Sequence, residues 1–325
     1  MPIRPTLNCV RRAAACAVLA LSMPVAMAWT NKPVRVLVPA PAGGTMDVLA
    51  RVLSEALTAE LGQSVVVDNK PGAGGGIAMN TLLGAPADGQ TILVSTTNVL
   101  TEIPHVMKVS YDPMKDVKPV AAVARSTLLL VGSTALPPKD LPSLISYVKA
   151  HSGQLSFASY SAGTVAHYAG LIMNQKAGMD LQHVPFAGSP PALTQVMGGQ
   201  IAVMYDGMVT SLPMIKAGKL QAYALAAKQR SPLLPQVPTF AELGYPDIDF
   251  NNWAGVFVSS KVPADVVQKI QAAVYKAAST PKVQERILGL GFETVPAQTP
   301  AQLGQALRTE YDRNAAIVKT YNIQP

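Results

Sequence analysis

Cysteine is all but missing from this chain: Cys9 and Cys16 are the only two in 325 residues. Both fall in the opening stretch MPIRPTLNCVRRAAACAVLALSMPVAMAWT, which reads as a leader. Without that stretch no disulfide, thiol nucleophile or thiolate metal site can form, and apolar cores alone must hold the fold. Histidine is sparse as well. The four residues His105, His151, His167 and His183 are never closer than 16 positions, and no carboxylate cluster accompanies them, so nothing suggests a metal. Aromatic residues make up 6% and charged residues 14% of the chain. With few rings to stack bases and no basic run, the composition speaks against a nucleic-acid partner. No Gly-Lys-Ser/Thr occurs, which removes a P-loop. Gly72 and Gly74 are followed by Ile77 in place of a third glycine, so the dinucleotide fingerprint also fails. No cofactor signature remains.

What is present begins with the leader. Arg4, Arg11 and Arg12 form a positive start, Ala13 to Ala26 an apolar stretch, and Ala26-Met27-Ala28 an A-x-A cleavage site. Pro24 interrupts the apolar stretch, which falls short of the ~20 residues that span a membrane. Residues 1–28 therefore read as a signal peptide cut after Ala28, with the product in the periplasm. The pair Arg11-Arg12 permits the twin-arginine route, but no matching consensus follows. Ala13, in place of Leu, three residues before Cys16 argues against lipid attachment there. Removing the three leader arginines leaves 23 basic residues against 19 acidic, a net of +4 spread over 297 residues. Such a balance attracts small anions weakly, and the length suggests two domains.

Short apolar strands then alternate with amphipathic helices. VRVLVPA reads as a buried strand. In TMDVLARVLSEALTAELG, Val48, Val52 and Ala56, and also Leu49, Leu53, Leu57 and Leu61, recur at helical spacing up to Gly62. SVVVDN, the helix GIAMNTLLGA and the strand QTILVS complete a first set. A second set starts at STLLLVG. It continues through LPSLISYVKAH, QLSFASY, TVAHYAGLIMNQKAG, LQHVPF, PPALTQVMGG, IAVMYD and LQAYALAA. WAGVFVSS opens a return, followed by three helical patterns. This alternation implies βαβ units and mostly parallel sheets. Crossings near Ala124–Thr127 and Asp249–Trp253 suit two hinged lobes, residues 29–125 plus 253–325 and residues 126–252, with a cleft between them.

The stretch SFASYSAGTVAHY invites two readings. Ser159-Tyr160-Ser161-Ala162-Gly163 is one residue short of the G-x-S-x-G turn that exposes a hydrolase serine. Such an enzyme needs an acid and then a histidine from later, separate loops. After Ser161 only His167 and His183 follow, and Asp180 is the one acid between Ser161 and His183. A binding turn fits better. A strand end running into a small polar turn at a helix start recurs at PAPAGGTMD, at SYSAGT and more weakly at STTN. There free amides and the helix dipole favour an anion, and Gly43 and Gly44 let a carboxylate approach the backbone. Simpler roles compete: Asp47 as a dipole-stabilising acid, Thr45 and Thr164 as N-caps, His167 as a packed side chain, Arg51 paired with Glu55, Trp253 as hinge filling.

Taken together these motifs resemble one family, the periplasmic solute-binding receptors of tripartite tricarboxylate transporters, or Bug proteins. NKPVRVLVPAPAGGTMDVLAR, VVVDNKPGAGGGIA, ADGQTILVS, GQLSFASYSAGTVAHY, HVPFAG, MGGQIAVMYD, IKAGKLQAYAL, LPQVPTFAELGYPDID and NNWAGVFVSS match its elements in order. The resemblance implies an α/β two-lobed clamshell of the Venus-flytrap type II class, with no catalysis. It also implies capture of a small di- or tricarboxylate or aromatic acid for a membrane permease, by a monomer. Ala42, Gly43, Gly44 and Asp47 carry over from the first loop and Ser159, Gly163, Thr164 and His167 from the second. Asp206 and Trp253 match positions near the cleft or hinge. Thr96 and Phe186 complete the expected contacts. The chain departs from the family at Thr45 and Met46, at Tyr160 and Ser161, and at Ala187, where a lysine is frequent. Those departures suggest a less charged or more apolar acid than citrate. Two other classes remain in view: a receptor signalling to a kinase, and an exported hydrolase centred on Ser161.

Overall fold

The computed structural model describes residues 30–250 and 252–324, so the signal peptide read above lies outside the described residues. Two mixed sheets carry the fold. The first has the order β11-β4-β10-β3-β1-β2, with β1 Val34–Val38, β2 Val65–Asn69, β3 Thr91–Thr96, β4 Val117–Ser126, β10 Trp253–Ser259 and β11 Phe292–Thr294. The second has the order β7-β6-β8-β5-β9, with β5 Leu128–Ser133, β6 Ser156–Ser159, β7 Gln182–Pro185, β8 Val203–Gly207 and β9 Leu220–Ala226. β1 pairs in parallel with β2 and β3, and β6 with β7 and β8, as the βαβ alternation implies. The remaining five pairs among the described residues are antiparallel, so the sheets are mixed and not mostly parallel as expected, because β4, β5, β9 and β10 are the strands that carry the chain between the sheets and back.

Each sheet buries both faces, and strand alternation sorts its side chains between them. In β1, Val36 and Val38 enter one core while Leu37 enters the other. Ile92 and Val94 of β3 join the first, and Leu93 joins Leu37. Helix α1, Thr45–Leu61, lays Leu49, Leu53 and Leu57 on the Val36 face beside Ile270 and Val274 of α9, Ala264–Ala278. α1 ends at Gly62, whose left-handed φ of 66° lets its amide return to Thr58 O. The opposite face is covered by α2, Gly76–Gly84, and by α3, Asn98–Thr101. A further short helix, α4, spans Ile103–Val106. In the second sheet Leu128 and Leu130 face the core of α5, Leu141–Ala150, and α6, Val165–Ala177. Leu129 and Val131 face that of α7, Ser189–Met197, and α8, Met208–Lys216. α10, Pro281–Gly289, completes the return to the first sheet.

Four features differ from the sequence reading. β4, β11 and α8 carried too little patterning to be read. In β4, Pro119 interrupts the run, and it is accepted where the β4–β10 register shifts. The last helix, α11 (Pro300–Tyr321), does not return wholly to the first sheet. Leu303 and Leu307 enter the core with Leu37, whereas Ile317, Val318 and Tyr321 pack against that of Phe157 and Tyr168. α11 is thus a third connection between the halves, after the Thr127 and Asn252 crossings.

Candidate functional site

The carboxyl ends of β1, β3, β6, β7 and β8 converge on one cavity of about 340 Å³ between the sheets, where open α/β sheets place ligands. From the first sheet come Pro39–Pro41, Gly44–Met46, the glycine turn at 71–75, and Ser95, Thr96 and Asn98. The second half contributes Leu128, Tyr160–Ala162, Val165, Pro185–Ser189 and Gly207, with Phe250 and Asn252 from the return crossing. Among the described residues that line it, none carries a charged side chain. The rims meet: Thr45 Oγ1 lies 3.4 Å from Thr210 Oγ1, and a Cβ on Gly188 would come within 2.4 Å of Pro41.

Behind the first turn, Asp47 is buried and acts as a brace. Its Oδ2 accepts from the Gly43 amide and from Arg51 Nε, both at 2.9 Å, and its Oδ1 accepts from Asn69 Nδ2 at 3.0 Å. Burial works to raise this carboxyl, but hydrogen bonds from Arg51, Gly43 and Asn69 outweigh it and hold it below the usual range. Arg51 therefore pairs with Asp47 and not with Glu55, which meets Arg286 and Lys282 of α10. A second carboxylate, Asp206, is fully buried at the end of β8. It accepts from Ser189 Oγ at 2.5 Å, Thr210 Oγ1 at 2.6 Å and Ser211 Oγ at 2.7 Å. Burial nevertheless raises it.

The second turn is knitted to itself. Ser159 Oγ donates to Ser161 O (3.0 Å) and shares a hydrogen bond with His183 Nε2 (2.8 Å). Thr164 Oγ1 donates to Ser161 O, and the Gly163 amide donates to His167 Nδ1 at 3.2 Å. The His167 and His183 rings stack 3.9 Å apart. Burial depresses them to about 4 and about 3, so both are neutral at neutral pH. The histidine of this neighbourhood thus serves Ser159, which has no exposed surface. Ser161 Oγ donates to Ala162 O. The arrangement an accessible serine nucleophile requires is not built here.

Of the residues expected from sequence, Gly44, Thr45, Thr96, Tyr160, Ser161 and Phe186 line the cavity. Ala42 and Gly43 lie on the exposed outer side of the turn. Asp47, Ser159, Gly163, Thr164, His167 and Asp206 stand behind the wall, and Trp253 packs on Phe257 in the core with Leu37. Sequence reasoning set aside the glycine turn at 72–75 as a failed cofactor motif, although its place after β2 was the signal that could have kept it. Met107, Leu128 and Phe250 had no signal, because tertiary folding alone brings them to the cleft.

Glu102, between α3 and α4, was also missed. Its side chain crosses from the first half to the second: Oε2 accepts the Val165 amide of α6 at 2.7 Å, and Asn252 Nδ2 donates to Oε1. Tyr168 of α6 donates to Glu102 O at 3.0 Å. Burial pushes this carboxyl up to about 8. The bonds from Asn252 and Val165 and the nearby Arg313 oppose the rise, and Glu310 adds to it. Raised above its ordinary 4.5, Glu102 contributes stability that is complete below about 4.5 and lost as pH climbs through about 8. Unfolding free energy should therefore fall between pH 5.5 and 8.5 more steeply in the parent than in Glu102→Gln, by up to about 1.4 kcal/mol per pH unit. Denaturant titrations across that range measure it, and parallel slopes would contradict the assignment.

Two mixed sheets closing on an uncharged cavity define the class: a two-lobed α/β receptor for a small molecule. Residues 49–323 match the tripartite tricarboxylate transporter family receptors, and the chain belongs to that family. Protein BugT of Bordetella pertussis is 32% identical over 293 residues, 90% of each chain. Among solved structures, one from R. palustris with adipate is 30% identical, with a TM-score of 0.87 over 92% of this chain and all of the other. MatC from Rhodopseudomonas palustris with bound malate is 33% identical, with a TM-score of 0.83 over 89% of this chain and 99% of that one. The family consists of periplasmic transport receptors and not of enzymes. Among the described residues no helix is long and apolar enough to cross a membrane.

Proposed function

We propose that this protein is exported, cut after Ala28, and acts as a monomer that captures a small carboxylic acid in the cleft and presents it to a tripartite membrane permease. The observation that carries the reading is the start of α1, whose first residues line the cavity while Asp47 is turned away onto Gly43, Asn69 and Arg51. The first amides of a helix have no intrahelical acceptor, and with the helix dipole they suit a carboxylate. Residues 29–125 with 253–325 would move against residues 126–252 about Thr127, Asn252 and the α11 contact with the second half. The ligand favours the closed form because only there do both halves touch it. Cargo that must be released calls for reversible binding, in the ~micromolar range.

A thermal-shift screen of carboxylic acids on the mature chain tests this. A cognate acid is expected to raise Tm by several degrees at saturation, and its primary amide is expected to raise it far less. No response to any acid, or equal responses to acid and amide, would sink the reading.

A further inference from the structure

The two halves treat their helix starts in opposite ways. In the first, Asp47 takes the amide of Gly43, which lies before α1, and leaves the helix's own first amides, Thr45 and Met46, at the cavity wall. In the second, α6, α7 and α8 also begin against the cavity, and the leading amides of α6 and α8 are taken from within the protein. The Val165 amide that opens α6 is taken by Glu102. α7 begins Ser189-Pro190-Pro191, and the two prolines have no N–H to offer. The Ser189 hydroxyl is committed to Asp206. α8 follows Asp206 after Gly207, and its first amide, Met208, donates to Thr127 O at 2.9 Å. The turn before α6 has likewise committed the Gly163 amide and the Thr164 hydroxyl.

We infer that Glu102 is a specificity-determining residue: it stands at the start of α6 where a ligand's second carboxylate would otherwise be held. The cleft then takes acids with a single carboxylate, gripped by the first half, and an apolar body against the second. The inference rests on the carboxylate-receptor reading and narrows it to one substrate class. Leu128, Tyr160, Val165, Phe186 and Phe250 supply the apolar wall. A second carboxylate pressed there would lose its water with no cation among the described lining residues to replace it. Glu102 and Asp206 lie just behind that wall. Val165 and Asn252, the residues that hold Glu102, both line the cavity, so removing its side chain opens the α6 start to a ligand.

Calorimetry with matched acids on the full mature chain tests this, using hexanoate with adipate and 4-methylbenzoate with terephthalate. The parent is expected to bind the monoacid of a pair at least about tenfold more tightly. In Glu102→Ala the diacid should gain about tenfold relative to its monoacid, as the vacated amide becomes available. Should that variant fail to fold, the double variant Pro190→Ala/Pro191→Ala, which restores two amides at the outer turn of α7, is expected to move the ratio the same way. A parent that prefers the diacid, or an unchanged ratio in the folded variant, overturns the inference and leaves the receptor reading standing. Heat from none of the four acids overturns both.

Discussion

Gly44→Val is expected to abolish the thermal shift produced by the best acid of the screen while the chain still folds. Gly44 caps α1 with φ −73° and ψ 161°, a conformation open to any residue, so no backbone strain arises. A Cβ there would stand 3.1 Å from Pro41 O and 3.5 Å from Ala40 Cβ, so the turn must yield by a few tenths of an ångström. That costs about 1 kcal/mol, a drop of a few degrees in Tm. The branches of valine, however, would project where Gly44 forms the cavity wall, between the incoming carboxylate and the Thr45 and Met46 amides. Affinity should fall by roughly 100-fold or more, the loss of the main charge-assisted contact. Calorimetry beside a melting curve separates the two effects. A variant that melts a little lower yet binds normally would place the acid away from α1.

Asp47→Ala should damage both folding and binding. Its carboxylate receives three donors from three segments, the Gly43 turn, the helix at Arg51 and the β2 end at Asn69. Arg51 is largely exposed and regains water, so most of the cost comes from Gly43 and Asn69 and from the lost brace. A total of about 2–3 kcal/mol follows. Binding should weaken roughly tenfold to 100-fold, because an unbraced turn must be ordered by the ligand itself. Asp47→Asn, which keeps one acceptor oxygen, should fall between. If Asp47→Ala keeps the parent's affinity and stability, the turn is held by other means.

The same residue shows how far the sequence could be read. Asp47 could be placed in the first turn of a helix after a glycine turn, since helical spacing and capping are local. Whether it would touch ligand or hold the loop depended on Asn69, which sits 22 positions away and comes beside it only when β1 pairs with β2. Arg51 went to the wrong partner for a related reason. The i+4 rule offers Glu55, but α10 packs alongside and takes Glu55 for Arg286. Ser159, Thr164 and His167 were legible as a polar turn. That Ser159 and His167 are also tied to His183 became visible only once β7 was brought alongside β6.

Strand runs, helix periods and glycine stops determined on their own that this chain forms two α/β halves, and nine motifs in order marked its resemblance to the tripartite tricarboxylate receptors. They suffice because each is set by neighbours within a turn or two. Which helix starts remain open to a ligand was decided by tertiary structure alone. Glu102 reaches Val165 across 63 positions, and Ser189 reaches Asp206 from another element, so the unpaired amides are known only after distant segments have met. Those pairings form because a buried carboxylate must find donors wherever the packed chain supplies them.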